Sequence, residues 1–417
     1  MNPDIVRIFC AQGLRALAYG FGSVLLGLTL ASRGWSSTEV GALLTAIVAG
    51  TALMSIVIGM FGDRIERRRA YALLFCGLAL SGLAFGLADE FWILAIVALT
   101  GTLSTEVVES GPFTSLEQAM IAESVPSARR GRTFALYNAA ATITGSVGAL
   151  AAGGPSLLRD VWPNLPADQR FFLAFVPVAL LGAVVALSLS AAVETTVARR
   201  TSFGGLEKSR GTVFRLSGLF AVDSFAGGFV VQSFIAYWFR VKFGVSPEVL
   251  GLLFFGVGVM QTASFLAAGR LGERFGLLNT MVFSHIPSNI FLAAIAFAPS
   301  LPVAIALLLG RQSLSQMDVP TRQAYIANLV DPAERTSAAA YTNTARYLTR
   351  PIGPALAGAV QQIALGAPFV IAGTLKVAYD LTLWAWFRRV PLEDAPDQTS
   401  AVATTTPDAI AKRGAGP

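Results

Sequence analysis

One segment of this chain is repeated, and the copy lies at a constant distance along the sequence. Residues 118–153 are matched without a gap by residues 323–358, at an offset of 205 positions. Identical residues stay in register, as Asn138 does with Asn343 and Gly153 with Gly358. Each copy runs from the end of one apolar stretch into the next. Two similar halves that each hold part of a central site can rock against one another, and in a membrane this arrangement is typical of transporters.

The composition places the chain in a membrane. Hydrophobic residues make up 54% of it and charged residues 13%, with a mean hydropathy of +0.62, whereas soluble domains carry roughly 25% charged residues. Its apolar runs approach about 20 residues, the length of helix that spans the hydrocarbon core. They do not alternate apolar and polar residues as a membrane β-barrel would. The sequence therefore predicts an all-α polytopic membrane protein.

Charge and cysteine content narrow the functional classes. The net charge is +6 and the pI about 9.6, but the basic residues occupy short loops, which argues against a nucleic-acid partner. Cys10 and Cys76 lie inside apolar segments, so neither a disulfide framework nor a thiolate metal site is expected. His285 is the single histidine and is interpreted as a polar residue facing the bundle interior. No metal and no cofactor are predicted.

Twelve apolar segments bounded by glycine, proline and charge divide into six and six. We read the first as a membrane helix rather than a cleaved signal peptide, because its apolar part has full spanning length. The predicted domains are an N-terminal bundle (1–196), a cytoplasmic linker (197–210), a C-terminal bundle (211–390) and a disordered cytoplasmic tail (391–417). The predicted helices are 5–32, 38–61, 70–88, 91–122, 131–157, 170–193, 212–240, 247–270, 277–298, 301–329, 336–362 and 367–388.

Arginine and lysine residues predict the orientation. They follow even-numbered segments two, four, six and twelve, and the opposite loops hold fewer of them. By the positive-inside rule both termini are then cytoplasmic. The richness in alanine and arginine favours a prokaryotic plasma membrane, the inner membrane.

The end of the second segment carries a motif. Residues 59–68 read Gly-Met-Phe-Gly-Asp-Arg-Ile-Glu-Arg-Arg and resemble the G-x-x-x-D-[RK]-x-G-[RK]-[RK] signature of major facilitator superfamily transporters. Glu66 replaces the usual glycine, and a degenerate echo stands at 269–276. The resemblance implies two pseudo-symmetric six-helix bundles, a central cavity lined by helices one, four, seven and ten, and a loop that latches the cytoplasmic side. The motif residues in register are Gly59, Asp63, Arg64, Arg67 and Arg68.

Charged residues inside the predicted helices are the candidate site, because a charge at the bilayer centre is costly unless it is paired or functional. The repeat sets opposite charges in equivalent places: Glu106 matches Arg311, Glu117 matches Arg322, and an offset of 208 sets Arg15 against Asp223. This reversal suggests ionic contacts between the two halves. Residues 106, 109, 113 and 117 share one helical stripe, and 311, 315, 318 and 322 share another. The predicted substrate and coupling residues are Arg15, Glu106, Glu109, Asp223, Arg311, Asp318, Arg346 and Arg350.

Specific roles follow as hypotheses. Arg15 and Asp223 are expected to form a gate or binding pair near the midplane, or a static pair that fixes helix registry. Glu106, Glu109 and Asp318 are candidates to carry a coupling proton. Lys376 and Asp380, one turn apart, are interpreted as an intrahelical pair.

The predicted function is a proton-coupled secondary active transporter of a small organic solute that works by alternating access. An exporting antiporter is preferred to the alternative, a symporter that imports an organic anion, and a non-transporting sensor or scaffold is a further alternative. ATP drive is not expected without a G-x-x-x-x-G-K-[ST] motif, and an enzyme is not expected from one histidine and no nucleophile motif. The expected partners are a small-molecule substrate, protons and the lipid bilayer, and the chain is expected to be a monomer.

Overall fold

The computed structural model describes residues 2–61, 66–104, 106, 111–194, 206–330 and 334–390, and their regular elements are helices. Helices of the N-terminal half are α1 (Pro3–Ser32), α2 (Ser37–Phe61), α3 (Arg67–Leu87), α4 (Phe91–Ala98), α5 (Pro112–Ser124), α6 (Ser127–Ala151), α7 (Gly154–Val161) and α8 (Phe175–Leu187). Helices of the C-terminal half are α9 (Arg210–Gly228), α10 (Gln232–Phe243), α11 (Pro247–Phe275), α12 (Leu277–Ile295), α13 (Leu301–Ser315), α14 (Asp318–Leu329), α15 (Arg335–Thr349), α16 (Ile352–Gln361) and α17 (Ala367–Phe387). Short 3₁₀ turns precede and follow α8.

The helices form two bundles, one from each half of the chain. In the first, α1 packs on α6 and α8, and α3 packs on α8. In the second, α12 packs on α17 and α13, and α9 packs on α15 and α17. The predicted fold class, an all-α membrane protein built from two pseudo-symmetric six-helix bundles, is confirmed.

Several predicted helices are interrupted in their middle. The predicted fourth helix, 91–122, is wrong as a continuous element: α4 ends at Ala98 and α5 begins at Pro112. Gly101 adopts φ +71°, a left-handed conformation in which a helix cannot continue, and a Cβ added there would lie 2.2 Å from the carbonyl oxygen of Gly50. Glu106 therefore lies outside a helix, and the predicted stripe through 106, 113 and 117 does not exist. The seventh, tenth and eleventh segments also break, at α9/α10, α13/α14 and α15/α16.

By length and composition alone, eight helices within the described residues could cross a membrane. Of the twelve segments predicted from the sequence, the fourth, tenth, eleventh and twelfth are not among these eight. These four contain most of the interior charged residues, such as Glu117, Arg311, Arg346 and Lys376. Charge lowers the mean hydropathy of a segment, so these four depend on contacts inside the bundle to be stable in a bilayer.

The two halves meet closely at one end of the molecule. We call this end, which holds the turn at residues 33–36, the distal face, and the end that holds Asn2 and Val390 the terminal face. At the distal face α1 packs on α10, α2 on α16 and α6 on α11. A Cβ added to Gly358 would lie 2.3 Å from the carbonyl oxygen of Ser37, and one added to Gly27 would lie 2.6 Å from Cβ of Ala236. Glycine thus allows the backbones of the two halves to touch.

Hydrogen bonds reinforce this distal contact. The Gln362 side-chain amide donates to the Thr38 hydroxyl at 2.6 Å, and that of Gln232 donates to Ser23 at 2.8 Å. Each bond joins one half to the other. The distal face is therefore closed by both backbone packing and polar contacts.

On the terminal face, two carboxylates cap helix starts. Glu194 accepts hydrogen bonds from the backbone N–H groups of Arg67 and Arg68, at 2.6 and 3.2 Å, and from Nε of Arg68 at 3.1 Å. Glu334 accepts from the backbone N–H groups of Glu207, Lys208 and Ser209 at 2.6–2.9 Å, just before α9. These bonds, that from Lys208 foremost, lower the pKa of Glu334. Glu194 thereby satisfies N–H donors that the start of α3 leaves unpaired, and Glu334 holds the backbone that leads into α9.

The predicted latch motif is only partly within the described residues. Arg67 and Arg68 begin α3 and bind Glu194, as described above. Gly59 lies in α2, while Asp63 and Arg64 lie outside the described residues. The linker at 197–205 and the tail at 391–417 also lie outside them. The role of this motif as a latch stays a prediction.

Candidate functional site

A cavity of about 190 Å³ lies inside the molecule, lined mainly by residues of the C-terminal half. Among the described residues that line it, five are basic and three are acidic, an excess of two positive charges when His285 is neutral. The basic residues are Arg311, Arg322, Arg346, Arg350 and Lys376, and the acidic ones are Glu106, Asp223 and Asp318. So charged a cavity is suited to a polar or ionic ligand.

Several of these residues lie at the breaks between helices. Glu106 lies between α4 and α5, Gln232 begins α10, Asp318 begins α14 and Arg350 follows the end of α15. Where a helix is broken, its terminal N–H and C=O groups lack intrahelical partners and can bind polar groups. Broken helices at membrane depth are tolerated where they line a cavity, and they mark substrate sites in transporters.

Two acids and two bases form a connected network on the wall of the cavity. Lys376 Nζ lies 2.5 Å from Oδ1 of Asp223, and Arg322 Nη1 lies 3.0 Å from Oδ2 of Asp318 and 3.6 Å from Oδ2 of Asp223. All four side chains are at least 90% buried. The intrahelical pair predicted for Lys376 and Asp380 is wrong, because Lys376 points from α17 toward α9.

Arg15 does not pair with Asp223, and this prediction is also wrong. Its guanidinium binds Glu117, with Nη2 2.7 Å from Oε2 and Nε 3.2 Å from Oε1, and the hydroxyls of Tyr71 and Tyr137 donate to the same carboxylate. Arg15 is 4% exposed and is not among the residues lining the cavity. The pair thus lies within the N-terminal bundle and holds α1 against α5.

Among the described residues, an ionic contact joins the two halves. Arg350 Nη2 lies 2.5 Å from Oε2 of Glu106. The charge reversal in the repeat suggested that Glu106 pairs with Arg311, but the arginine that donates to Glu106 lies beside the break in the eleventh segment instead. Both side chains are about one-fifth exposed, so solvent in the cavity reaches this pair.

Two guanidinium groups in the cavity have no carboxylate within ion-pair distance among the described residues, namely those of Arg311 and Arg346. Their Nε atoms are buried and lack a hydrogen-bond partner there. A buried N–H donor without an acceptor is costly. The two side chains are therefore placed to bind an anion, for which the arginine fork is well suited.

A histidine–carboxylate pair borders the cavity, and the sequence did not predict it. His285 Nδ1 lies 2.9 Å from Oδ1 of Asp380, whose Oδ2 accepts a hydrogen bond from Asn289 at 3.0 Å. His285 faces the interior, as expected, and lines the cavity. The polar spacing of His285, Ser288 and Asn289 along one helix face was the signal that could have indicated this site.

Two neighbouring cavities extend the site toward the terminal face. One of about 150 Å³ shares Ser224, Arg322, Arg346 and Arg350 with the central cavity, and it adds residues of the N-terminal half such as Gln118. The other, about 370 Å³, reaches Ile326, Ala339 and Thr342, close to the turn between α14 and α15. With the distal face closed, the polar interior extends toward the terminal face. Glu109 lies outside the described residues.

Comparison with known proteins agrees with this architecture. An uncharacterized membrane protein of Saccharomyces cerevisiae, YJR124C, is 26% identical over 422 residues, which cover 93% of this chain and 94% of that protein. The crystal structure of the nucleoside transporter NupG has a TM-score of 0.73 at 14% identity and covers 93% of this chain and 100% of that one. The inward-open structure of the xylose transporter XylE from E. coli has a TM-score of 0.70 at 17% identity, with 95% and 99% coverage.

A family model identifies the chain more directly. Residues 8–239 and 217–413 each match the model described as Major Facilitator Superfamily, so that the two halves are matched separately. This agrees with the repeat, with the two bundles and with a polar cavity between broken helices. The chain belongs to the major facilitator superfamily and is a multi-pass membrane transporter of small solutes.

Proposed function

We propose that this transporter moves a small organic anion through the central cavity by secondary active transport. The observation that carries the proposal is the pair of arginines, Arg311 and Arg346, without a carboxylate partner among the described residues. A carboxylate or phosphate between them would accept charge-assisted hydrogen bonds and offset the excess positive charge of the lining. The geometry thus favours the anion symporter over the exporting antiporter that the sequence preferred.

Alternating access is supported by the asymmetry between the two ends. The halves touch through glycine at the distal face, and the cavities extend toward the terminal face. Opening the distal face requires the two bundles to rock apart there, which would move Glu106 relative to Arg350. That pair is the ionic contact most directly placed to report the motion.

The sequence is the basis for the proposed orientation of the protein in the membrane and for the proposed energy source of transport. The distribution of arginine supports cytoplasmic termini, so the terminal face would be cytoplasmic. The richness in alanine and arginine supports a prokaryotic inner membrane. The proton gradient is proposed as the energy source. Under that arrangement an anion taken from outside is released through the cavities at the terminal face.

Neutral solutes are the rival substrates. The structural neighbours named above transport a nucleoside and xylose, and hydroxyl groups need acceptors and donors rather than an excess of cations. In this cavity five bases face three acids among the described lining residues. A neutral sugar would leave that excess uncompensated, so we propose an anion.

The test uses the purified protein in proteoliposomes with an inside-alkaline pH gradient. Radiolabelled lactate, succinate, gluconate and benzoate are compared with the neutral solutes xylose and uridine. We expect accumulation of at least one anion. The variants Arg311→Gln and Arg346→Gln each remove a charged donor worth about 1.5–3 kcal/mol, and should reduce its uptake at limiting concentration by about 10-fold to 100-fold.

Arg215→Gln is the matched control, because Arg215 is exposed on α9 and does not line the cavity. It should leave uptake unchanged, and gel filtration should show that all variants remain folded. Transport of xylose or uridine alone, or full anion uptake by both cavity variants, would refute the proposal.

A further inference from the structure

A buried imidazole and a buried carboxylate face each other between α12 and α17. His285 Nδ1 is 2.9 Å from Oδ1 of Asp380, and both residues are at most 4% exposed. We propose that His285 and Asp380 together bind the proton that travels with the substrate. The existence of this proton site is independent of the proposed function, whereas its coupling to an anion rests on that function.

The partners of Asp380 give the first reason. Among the described residues, its contacts are His285 and the neutral amide of Asn289. Lys376 on α17 pairs with Asp223 at 2.5 Å and acts on Asp380 only as a more distant charge. A fully buried carboxylate without a cationic partner is strongly destabilising. Protonation of the imidazole turns this site into a compensated pair.

The predicted proton carriers Glu106 and Asp318, unlike Asp380, each have a basic side chain as a partner. Glu106 is 2.5 Å from Arg350, and Asp318 is 3.0 Å from Arg322. Each of these carboxylates therefore has a permanent cation beside it, and neither needs a proton to be compensated. The His285–Asp380 pair is compensated only while it holds a proton.

Access to solvent gives the second reason. His285 lines the central cavity, while Asp380 lies behind it and is 0% exposed. Because Nδ1 faces Asp380, Nε2 is the nitrogen that exchanges a proton with water in the cavity. On loading, the lone pair of Nε2 takes a proton from a hydronium ion; on release, the proton returns to water. No other bond is made or broken.

The surrounding charges act on the same site. Asp318 and Lys376 interact electrostatically with His285, and Asp223 does so from α9. From α11, the described residues lining the cavity are Phe254, Val257 and Gln261, and none of these titrates. The groups near the pair are Lys376 and Tyr379 on α17, Asp223 on α9, Asp318 and Arg322 on α14 and Arg311 on α13.

The sign of the coupling follows from position. A proton on His285 adds a positive charge to the wall of the cavity that contains Arg311 and Arg346. An anion bound there is attracted by the added charge, so proton and anion stabilise one another and travel in the same direction. Exchange of a proton for an anion would require the opposite sign. The position of the His285–Asp380 pair therefore indicates co-transport of the proton and the anion.

The single histidine allows a direct test on the full chain. Protein labelled with ¹⁵N-histidine, in lipid nanodiscs, gives the ¹⁵N signal of His285 alone, which is followed between pH 4 and pH 9. We expect one titration, with Asp380→Asn lowering its midpoint by one unit or more. Asp89→Asn, an exposed carboxylate beside Arg33 on the distal face, is the matched control. A histidine that does not titrate, or that titrates alike in Asp380→Asn and the unaltered protein, overturns the assignment.

Flux then tests the coupling, with the anion that the panel above identifies. In proteoliposomes, His285→Gln should still exchange labelled for unlabelled anion at saturating concentration, with a lower affinity because the added positive charge is gone. Its accumulation driven by an inside-alkaline gradient should be lost, and Asp380→Asn should behave likewise, which guards against a folding defect in one variant. Gradient-driven accumulation at the unaltered level in either variant overturns the coupling. Absence of any anion transport by the unaltered protein refutes the proposed function but leaves the histidine titration as a test of the proton site.

Discussion

Arg15 and Glu117 form a buried ion pair, with Nη2 of the arginine 2.7 Å from Oε2 of the carboxylate. At the equivalent places in the second half, Asp223 and Arg322 lie 3.6 Å apart with the charges reversed. The reversal in the repeat thus preserves a contact inside each bundle, between its first and fourth segments. It does not join the bundles, and the two contacts have different surroundings: tyrosine hydroxyls around Glu117, and a second acid–base pair around Arg322.

Removing Glu117 should therefore destabilise the N-terminal bundle. Glu117→Gln leaves Arg15 buried without its counter-charge, and the expected loss is roughly 3–5 kcal/mol of the free energy of unfolding. Thermal unfolding in detergent, followed by tryptophan fluorescence, measures it. The double variant Arg15→Met/Glu117→Leu should recover much of the loss; equal stability of Glu117→Gln and the unaltered protein contradicts a structural role.

The contact between Glu106 and Arg350 should control how firmly the cavity holds an anion. Glu106→Gln removes a negative charge from the lining of the cavity, so the equilibrium affinity for the transported anion should rise several-fold while net flux falls because release becomes slower. Isothermal titration and proteoliposome flux measure the two quantities. A fall in both affinity and flux would show instead that Glu106 itself contacts the substrate.

The predicted coupling role of Asp318 can be tested through His285. Its negative charge favours the protonated imidazole, so Asp318→Asn should shift the half-maximal pH of gradient-driven transport toward acid. The pH profile of uptake, measured from pH 5 to pH 8, checks the direction. A shift toward alkaline pH is incompatible with the proposed proton site.

Closure at the distal face should be sensitive to side-chain volume. Gly358→Leu places a side chain where even a Cβ would lie 2.3 Å from Ser37, so the halves cannot close and transport should be lost. Gly218→Leu is the control, since no atom lies within 4 Å of a Cβ added there. Spin labels at residues 38 and 362 should show a longer distance in Gly358→Leu only.

The cap formed by Glu334 should make stability depend on pH. Backbone hydrogen bonds, that from Lys208 foremost, hold its pKa below the ordinary value. A depressed pKa adds stability above the unfolded-state value of about 4.3, and this stability is lost as the pH falls through the folded-state value. Glu334→Gln should therefore lower the melting temperature at pH 7, and the difference should shrink at pH 4. A constant difference at both pH values would exclude the ionised cap.

The sequence predicted the helices and the repeat because apolar length and register are local properties. It also predicted that Arg311, Arg346 and Asp318 belong to one polar site, since charges in a bilayer converge away from lipid. It could not predict partners: the pairing of Lys376 with Asp223 depends on how α17 and α9 are rotated, which periodicity does not determine. The break at Gly101 was missed although Thr100, Thr102 and Ser104 surround it and Gly111 and Pro112 follow, a cluster of polar and helix-breaking residues that is typical of a loop.

Where Gly41 meets Gly358 at the distal face, neither residue has a side chain that could rotate out of the contact. A gate made of rotating side chains can admit water gradually, whereas Gly41 and Gly358 touch backbone to backbone. We therefore expect separation there to be all-or-none, because the two main chains are either in contact or fully apart. Little leakage of ions is then expected through this contact while it is closed.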